Sequence, residues 1–170
     1  RLTAEDYSKK VLVVPAGSAW KFYQKYSIYK CQPNRTFQPS SYMGFYADGE
    51  IKKSFPKILG YIESLNIHSD NLNTIKIITV NDGNEQDIRN KMFEIKKNLQ
   101  PYEWNENFKF MVLTEEFSDK TFKNNHPINN DKTSYSNKGT AFVQKQTYLD
   151  IDELEGKKYT SELQSTFTNS

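Results

Sequence analysis

The fold class of this chain is decided by residues 42–51, which read YMGFYADGEI. Residues 42–47 are rich in aromatic and apolar side chains, a composition that favours a β-strand. Asp48-Gly49 is a typical two-residue turn of a β-hairpin. Residues 50–53 can then pair back along the same strand, so this stretch predicts an antiparallel hairpin.

Further short strands are predicted on both sides of this hairpin. Each is an apolar or alternating run that ends at turn-forming residues. They comprise residues 11–14, 27–31, 57–67, 74–80, 108–113 and 140–149. Gly60 lies inside one of them, which predicts a bulge or a close approach of two backbones at this point.

One long helix is predicted for residues 84–99, and Pro101 ends it. Its apolar residues form one stripe at spacings of four, three and four positions: Ile88, Met92, Ile95 and Leu99. Shorter helices are expected at residues 19–26, with Ser18 as N-cap, and after Asp150, which has capping-box spacing to Glu153. The absence of regular βαβ alternation predicts an α+β fold, with a mixed or antiparallel curled sheet or small β-barrel.

Length and composition are those of one domain. The chain has 170 residues, of which 36% are hydrophobic and 26% charged, enough to bury a sizeable core. We expect a single domain over residues 1–170, with residues 1–10 as a lead-in and residues 164–170 as a tail. Residues 114–139 form a long predicted loop, a kind of segment that is usually functional or disordered. Because the chain begins at Arg1, we expect it to be a fragment of a larger multidomain protein.

Net charge and cysteine content restrict the location and the partners. The formal net charge is +2 and the pI about 8.5, which is too mild to identify a nucleic-acid-binding protein by charge alone. Cys31 is the single cysteine, so an intrachain disulfide is excluded and a reducing, cytoplasmic location is expected. No apolar run approaches the roughly 18 residues that a membrane-spanning helix requires.

Most catalytic motifs are missing from the sequence. A nucleophilic triad needs a histidine, and His68 and His126 both fall in predicted loops. One cysteine and two distant histidines do not make a zinc site, and neither glycine-rich phosphate loop is present. We therefore predict a non-catalytic domain without catalytic residues, metal ligands or a cofactor.

Asp48, Glu50 and Lys52 suggest the main enzymatic alternative. Glu50-Ile51-Lys52 matches the second half of a metal-dependent nuclease signature, in which carboxylates bind a divalent cation and the lysine orients water. The same triplet occurs at residues 94–96 on a predicted solvated helix face, so it also arises by chance. The structural alternative is a set of ordinary hairpin-turn charges.

Residues 20–46 form an aromatic and basic segment. Aromatic rings stack on bases with about 1–3 kcal/mol per base, and interleaved cations contact phosphates. Such a composition favours binding of single strands or flipped bases. The competing interpretation is that most of these rings are ordinary core residues.

Part of the chain resembles a known family. Residues 42–47, followed by Glu50-Ile51 and Pro56-Lys57-Ile58, resemble a strand pair in PUA-like domains of the EVE and ASCH type. Residues 142–149 and 152–154, then 160–163, are similar to the terminal strand and short helical tail of such domains.

The resemblance implies a small curled sheet that binds nucleic acid and holds a modified or flipped base in an aromatic pocket. Such domains also serve as specificity domains of modification-dependent restriction systems. The residues assigned to the base pocket are Trp20, Tyr29, Tyr42, Phe45, Tyr46 and Trp104. Those assigned to phosphate are Lys30, Arg35 and Lys52.

These assignments name a partner and leave alternatives open. DNA is expected rather than RNA, and the loop of residues 32–41 is expected to read the base edge. Strand alternation sends Phe45 and Tyr46 to opposite faces, so at most one of them can enter a given pocket. A metal-dependent nuclease and a protein-interaction module that uses residues 114–139 remain the alternatives.

Overall fold

The computed structural model describes residues 7–131 and 147–163, and the backbone of residues 167–168. The helices are α1 (Ala19–Tyr26), α2 (Glu85–Lys97) and α3 (Ile151–Leu154), with a 3₁₀ helix at Thr160–Glu162. The strands are β1 (Lys10–Pro15), β2 (Ile28–Cys31), β3 (Tyr42–Ala47), β4 (Glu50–Ile51), β5 (Ser54–Phe55), β6 (Ile58–Leu65), β7 (Ile78–Thr79), β8 (Phe108–Leu113), β9 (Phe122–Lys123), β10 (Ile128–Asn129), β11 (Thr147–Asp150) and β12 (Phe167–Thr168).

The strands form a curled, half-barrel arrangement. A mixed sheet has the order β10-β4-β3-β1-β11-β12, and among the strand pairs of the described residues β1 and β3 are parallel while the others are antiparallel. An antiparallel sheet has the order β2-β8-β6-β7, and β5 pairs with β9. The prediction of an α+β fold with a curled mixed sheet and few helices is confirmed.

The hairpin that decided the fold class forms as expected. Asp48 and Gly49 have φ values of 56° and 74°, the left-handed values that a tight hairpin turn requires. Tyr46 pairs with Ile51 and Ala47 with Glu50 across the turn. The short return strand β4 is confirmed.

Gly60 marks both a register shift and a close approach. The pairing of β6 with β8 shifts between Ile58 and Gly60. A Cβ atom at Gly60 would lie 2.5 Å from the Ile78 carbonyl oxygen and 2.7 Å from Ile88 Cδ1. A side chain here would push β7 and α2 away from the sheet.

The helices follow the predicted pattern, with one correction. Helix α1 has the predicted bounds, but Ser18 makes no capping hydrogen bond because its own backbone is helical, with φ −82° and ψ −15°. Helix α2 is capped by Asn84, whose side chain accepts from the Asp87 N–H. Asp150 likewise accepts from the Asp152 N–H and starts α3.

Three segments differ from the expectation. The strand predicted for residues 74–80 is reduced to β7, and the loop predicted from residue 114 contains β9 and β10 within its described part. The expected tail contributes β12, which pairs with β11. These strands have two residues each, too few for alternation to be visible in the sequence. Residues 132–146, which include the start of the last predicted strand, lie outside the described residues.

The buried apolar residues within the described part of the chain form three layers. The first layer lies between the two large sheets: Leu12, Val14, Tyr23, Tyr29, Met43, Phe45, Met111 and Tyr148 are among its members. The second lies between the antiparallel sheet and α2, and the third covers the outer face of the mixed sheet. Helix α2, the longest described helix, has 13 residues. A membrane span needs about 20 predominantly apolar residues, and the described helices include no such candidate.

Candidate functional site

A cavity of about 440 Å³ opens between residues 36–40 and the antiparallel sheet. Its volume falls in the range of about 300–1,000 Å³ that small-molecule sites occupy. The loop contributes Phe37 and Gln38, and the sheet contributes Tyr61, Glu63 and Lys109. It therefore combines apolar walls with a few polar groups, as binding sites do.

Strand alternation places the sheet residues of the cavity on one face. Tyr61 and Glu63 are two positions apart on β6, and Lys109 and Met111 are two apart on β8. Tyr61 pairs directly with Met111 across the two strands. Side chains two residues apart point to the same side of a sheet, so these four share the sheet face that contributes Met111 to the first core layer.

Lys109 is the central polar residue of the cavity. The residue is 5% exposed, and its ammonium group lies 3.4 Å from Glu63 Oε1 and donates to the Arg35 carbonyl oxygen at 3.1 Å. The same nitrogen lies 5.3 Å from the Phe37 ring centroid and 5.2 Å from that of Tyr61. A buried charge needs such partners, and the two rings add cation–π attraction.

Tyr61 brings a neutral hydroxyl to the cavity. Burial raises its pKa, and the negative charge of Glu63 acts in the same direction. A neutral phenol both donates and accepts hydrogen bonds. Tyr61 therefore offers a ring face and a polar group at neutral pH.

The loop wall is fixed by hydrogen bonds from buried residues. The Gln38 N–H donates to the Tyr148 hydroxyl at 2.9 Å, and Lys10 Nζ donates to Gln38 Oε1 at 3.0 Å. Arg35 Nη1 donates to the Tyr29 hydroxyl at 3.1 Å. Because a wall ordered in advance costs less conformational entropy on binding, this loop is suited to a rigid site.

We expect Tyr148→Phe to loosen this wall. The change removes the acceptor of the Gln38 N–H and should lower the free energy of unfolding by about 1 kcal/mol. Hydrogen exchange at the Gln38 amide should become faster, and this can be measured by NMR. Tyr102→Phe, on a 76% exposed ring, is the matched control and should change neither quantity. Unchanged exchange at Gln38 in Tyr148→Phe would show that this hydrogen bond does not order the loop.

The structure does not bring together the six rings that the sequence assigned to a base pocket. Tyr29 and Phe45 are buried in the first layer, and Trp20 packs against it. Phe45 has no exposed surface and stacks on Tyr23 with ring centroids 5.0 Å apart. Tyr42 and Tyr46 lie on the outer face of the mixed sheet, and Trp104 packs in the second layer. Large rings offer the most apolar area, so the core takes them.

The three cations assigned to phosphate are also separated. Lys30 lies 4.0 Å from the Phe108 ring centroid and 5.1 Å from that of Trp104, on the opposite face of β2 from Tyr29. Burial lowers the pKa of Lys30. Arg35 adjoins the cavity, since its carbonyl accepts from Lys109 and its guanidinium carbon lies 5.1 Å from the Phe37 ring centroid.

Lys52 pairs with Asp48 and Glu50, the two carboxylates of the nuclease hypothesis. Its ammonium lies 2.9 Å from Glu50 Oε2 and 3.1 Å from Asp48 Oδ2. Burial opposes the shift, but hydrogen bonds and charges of the two acids raise the pKa of Lys52. Among the described residues, no group of three or more His, Cys, Asp or Glu is placed to bind a metal ion. In the hairpin, the three charges contact one another, with Lys52 bonded to both carboxylates.

The cavity residues Tyr61, Glu63 and Lys109 were not identified from the sequence, although the segment 32–41 was. One signal was present: Lys109 is the only charge in the apolar strand FKFMVL. A charged residue at such a position is rarely buried without a partner. That rule predicts an acidic partner across the sheet, which the structure identifies as Glu63.

The cavity combines charged side chains with aromatic rings. Glu63 and Lys109 supply its charges, and Phe37 and Tyr61 supply its rings. Comparisons with protein-family models, with curated proteins and with solved structures find no match to this chain.

Proposed function

We propose that this chain is a non-catalytic nucleic-acid-binding domain that holds a modified or flipped base in the cavity beside residues 36–40. The observation that carries the proposal is the convergence of two rings, Phe37 and Tyr61, and the Glu63–Lys109 pair on one cavity of about 440 Å³. DNA is the proposed partner, and RNA is an arm of the test below.

The chemistry of the cavity supports a base as ligand. Enzymes and binding domains that extract a base from the stack hold it by stacking on aromatic or apolar side chains and by hydrogen bonds to its edge. Phe37 and Tyr61 supply ring faces, while Glu63 and Lys109 supply an acceptor and a donor. The proposed site thus keeps the predicted loop and replaces the predicted rings.

The resemblance to PUA-like domains extends the proposal to the fold of the chain and to its role in the cell. The half-barrel of mixed strands is compatible with a PUA-like domain of the EVE or ASCH type, which we propose as the fold. In that setting the chain serves as the specificity domain of a modification-dependent restriction system in the cytoplasm. The single thiol, Cys31, is buried, which is consistent with a reducing compartment.

Fluorescence anisotropy tests this function directly. Labelled single-stranded and duplex DNA, with and without modified bases, and matching RNA are titrated at two salt concentrations. Binding that weakens with salt is expected, because phosphate contacts release counterions. No binding to any of these at low salt contradicts the proposal, and tighter binding to RNA than to DNA corrects the partner.

Phe37→Ala locates the binding site. Loss of one stacking ring should weaken binding by about tenfold, since stacking contributes about 1–3 kcal/mol per base. Phe117→Ala is the control, because Phe117 is 84% exposed and does not line the cavity. Equal affinities of the two variants would place the nucleic acid elsewhere on the surface.

A further inference from the structure

A second cavity, of about 560 Å³, lies between the C-terminal halves of α1 and α2. Residues 24–27 form one side of it, Lys91 and Ile95 of α2 form the other, and residues 115–117 after β8 border it. Its volume falls in the range of about 300–1,000 Å³ that small-molecule sites occupy. It shares no lining residue with the cavity beside residues 36–40, so a ligand here has a site of its own.

Lys91 lines this second cavity with few partners for its ammonium group. The residue is half-buried, and among the described residues it has no ion pair. Its hydrogen bond to the Leu113 carbonyl oxygen is long, at 3.4 Å. Burial lowers the pKa of Lys91, and the charge of Glu115 opposes this shift. Removing an unpaired ammonium from water favours the uncharged amine, which is the nucleophilic form of lysine.

The carboxylates of the lining do not pair with Lys91. The charged residues of the lining are Lys25, Lys91, Glu94, Glu115 and Glu116. Glu94 lies 3.9 Å from Lys97, and Glu116 accepts from Gln24 at 3.3 Å. Glu115 is the lining carboxylate whose charge acts on Lys91, and burial outweighs it. A half-buried lysine without an ion pair therefore faces a space that can hold a small molecule.

We propose that Lys91 captures aldehydes with a small apolar body in this second cavity, as covalent imines. A lysine amine in a desolvated pocket is the group that forms imines with carbonyl compounds. Tyr26, Ile95 and Phe117 of the lining offer apolar surface to the body of the aldehyde. This capture is a second activity and does not depend on nucleic-acid binding.

The reaction consumes no oxidant, reductant or further co-reactant. The lone pair of Lys91 Nζ adds to the carbonyl carbon, the C–O π bond breaks, and a proton moves from nitrogen to oxygen. The hydroxyl group of this adduct then leaves with the second nitrogen proton as water, and the C=N bond forms. Because each step reverses when water returns, the captured aldehyde can be released again.

Reductive trapping of the full chain tests this proposal. The protein is incubated at neutral pH with benzaldehyde and sodium cyanoborohydride, which reduces an imine to a stable secondary amine, and the adducts are located by peptide mass spectrometry. Lys91 should acquire adduct about tenfold faster than Lys97, because a bound aldehyde is held beside the nitrogen. Lys97 is the internal control, since it lies on the same helix, is exposed, and does not line the cavity. The rate at Lys91 should also saturate with benzaldehyde concentration, whereas that at Lys97 should rise linearly.

Two substitutions assign the saturable reaction to one residue. Lys91→Arg keeps the positive charge but lacks a nucleophilic amine, so it should abolish the saturable reaction, and Lys97→Arg should leave it unchanged. A rate at Lys91 of the unaltered chain that does not exceed that at Lys97, or that does not saturate, overturns the proposal. Saturable capture that persists in Lys91→Arg overturns it as well. All of these outcomes leave the proposed nucleic-acid binding untouched.

Discussion

Phe45→Ala is expected to lower the free energy of unfolding by about 3–5 kcal/mol. Phe45 has no exposed surface, and its ring centroid lies 5.0 Å from that of Tyr23 and 5.5 Å from that of Trp20. Truncation therefore leaves a cavity between the two sheets, next to α1. The loss is a large fraction of the roughly 5–15 kcal/mol that stabilises a typical domain. Urea unfolding followed by tryptophan fluorescence measures it.

Comparison with Phe37→Ala tests whether stability and nucleic-acid binding depend on different aromatic rings. Phe37 belongs to the same aromatic segment but is only partly buried, on the loop that lines the cavity. It should cost clearly less stability than Phe45→Ala while weakening nucleic-acid binding. Phe45→Ala should bind with near-normal affinity wherever it remains folded. The reverse pattern would show that Phe45 contacts the ligand and would restore the original assignment.

Gly83→Ala is expected to lower the free energy of unfolding by about 3 kcal/mol or more. A Cβ atom at Gly83 would lie 1.8 Å from the Leu59 carbonyl oxygen and 3.0 Å from that of Val80. Both oxygens belong to backbone, which cannot rotate away as a side chain can. The turn before α2 would have to move off β6, breaking the hydrogen bond from the Val80 N–H to Leu59, now 2.9 Å long.

Gly17→Ala is the matched control for this substitution. Nothing lies within 4 Å of a Cβ atom at Gly17. Its effect should stay within about 0.5 kcal/mol, as is usual for surface changes. Urea unfolding of both variants, with hydrogen exchange at the Val80 amide, makes the comparison. Similar losses at the two glycines would mean that the turn adapts without strain.

Periodic segments of this chain were predictable, and short ones were not. The first helix, α1, and strands β3 and β8 have the predicted bounds, and each holds at least six residues. Strands β9 and β10 have two residues each and are held by distant partners, β5 and β4. Their pairing depends on the tertiary fold, which no local pattern encodes.

The candidate site was likewise only partly predictable from the sequence. Alternation correctly separated Phe45 from Tyr46, which belong to different layers. Alternation does not predict that the apolar residues of the described chain divide into three layers, nor which face of a sheet lines a cavity. Lys109 and Glu63 come from strands that are distant in sequence, and only their pairing in the antiparallel sheet reveals the cavity.

The placement of β1 has a consequence for the order in which the protein folds during synthesis. This strand pairs with β3 on one side and with β11 on the other, where Val11 lies opposite Leu149. Its second edge stays open until residues near 150 have left the ribosome. An apolar strand with an open edge is prone to pair with other chains. Contacts so distant in sequence also slow folding, so the nascent domain passes through a long interval in which its central strand needs protection.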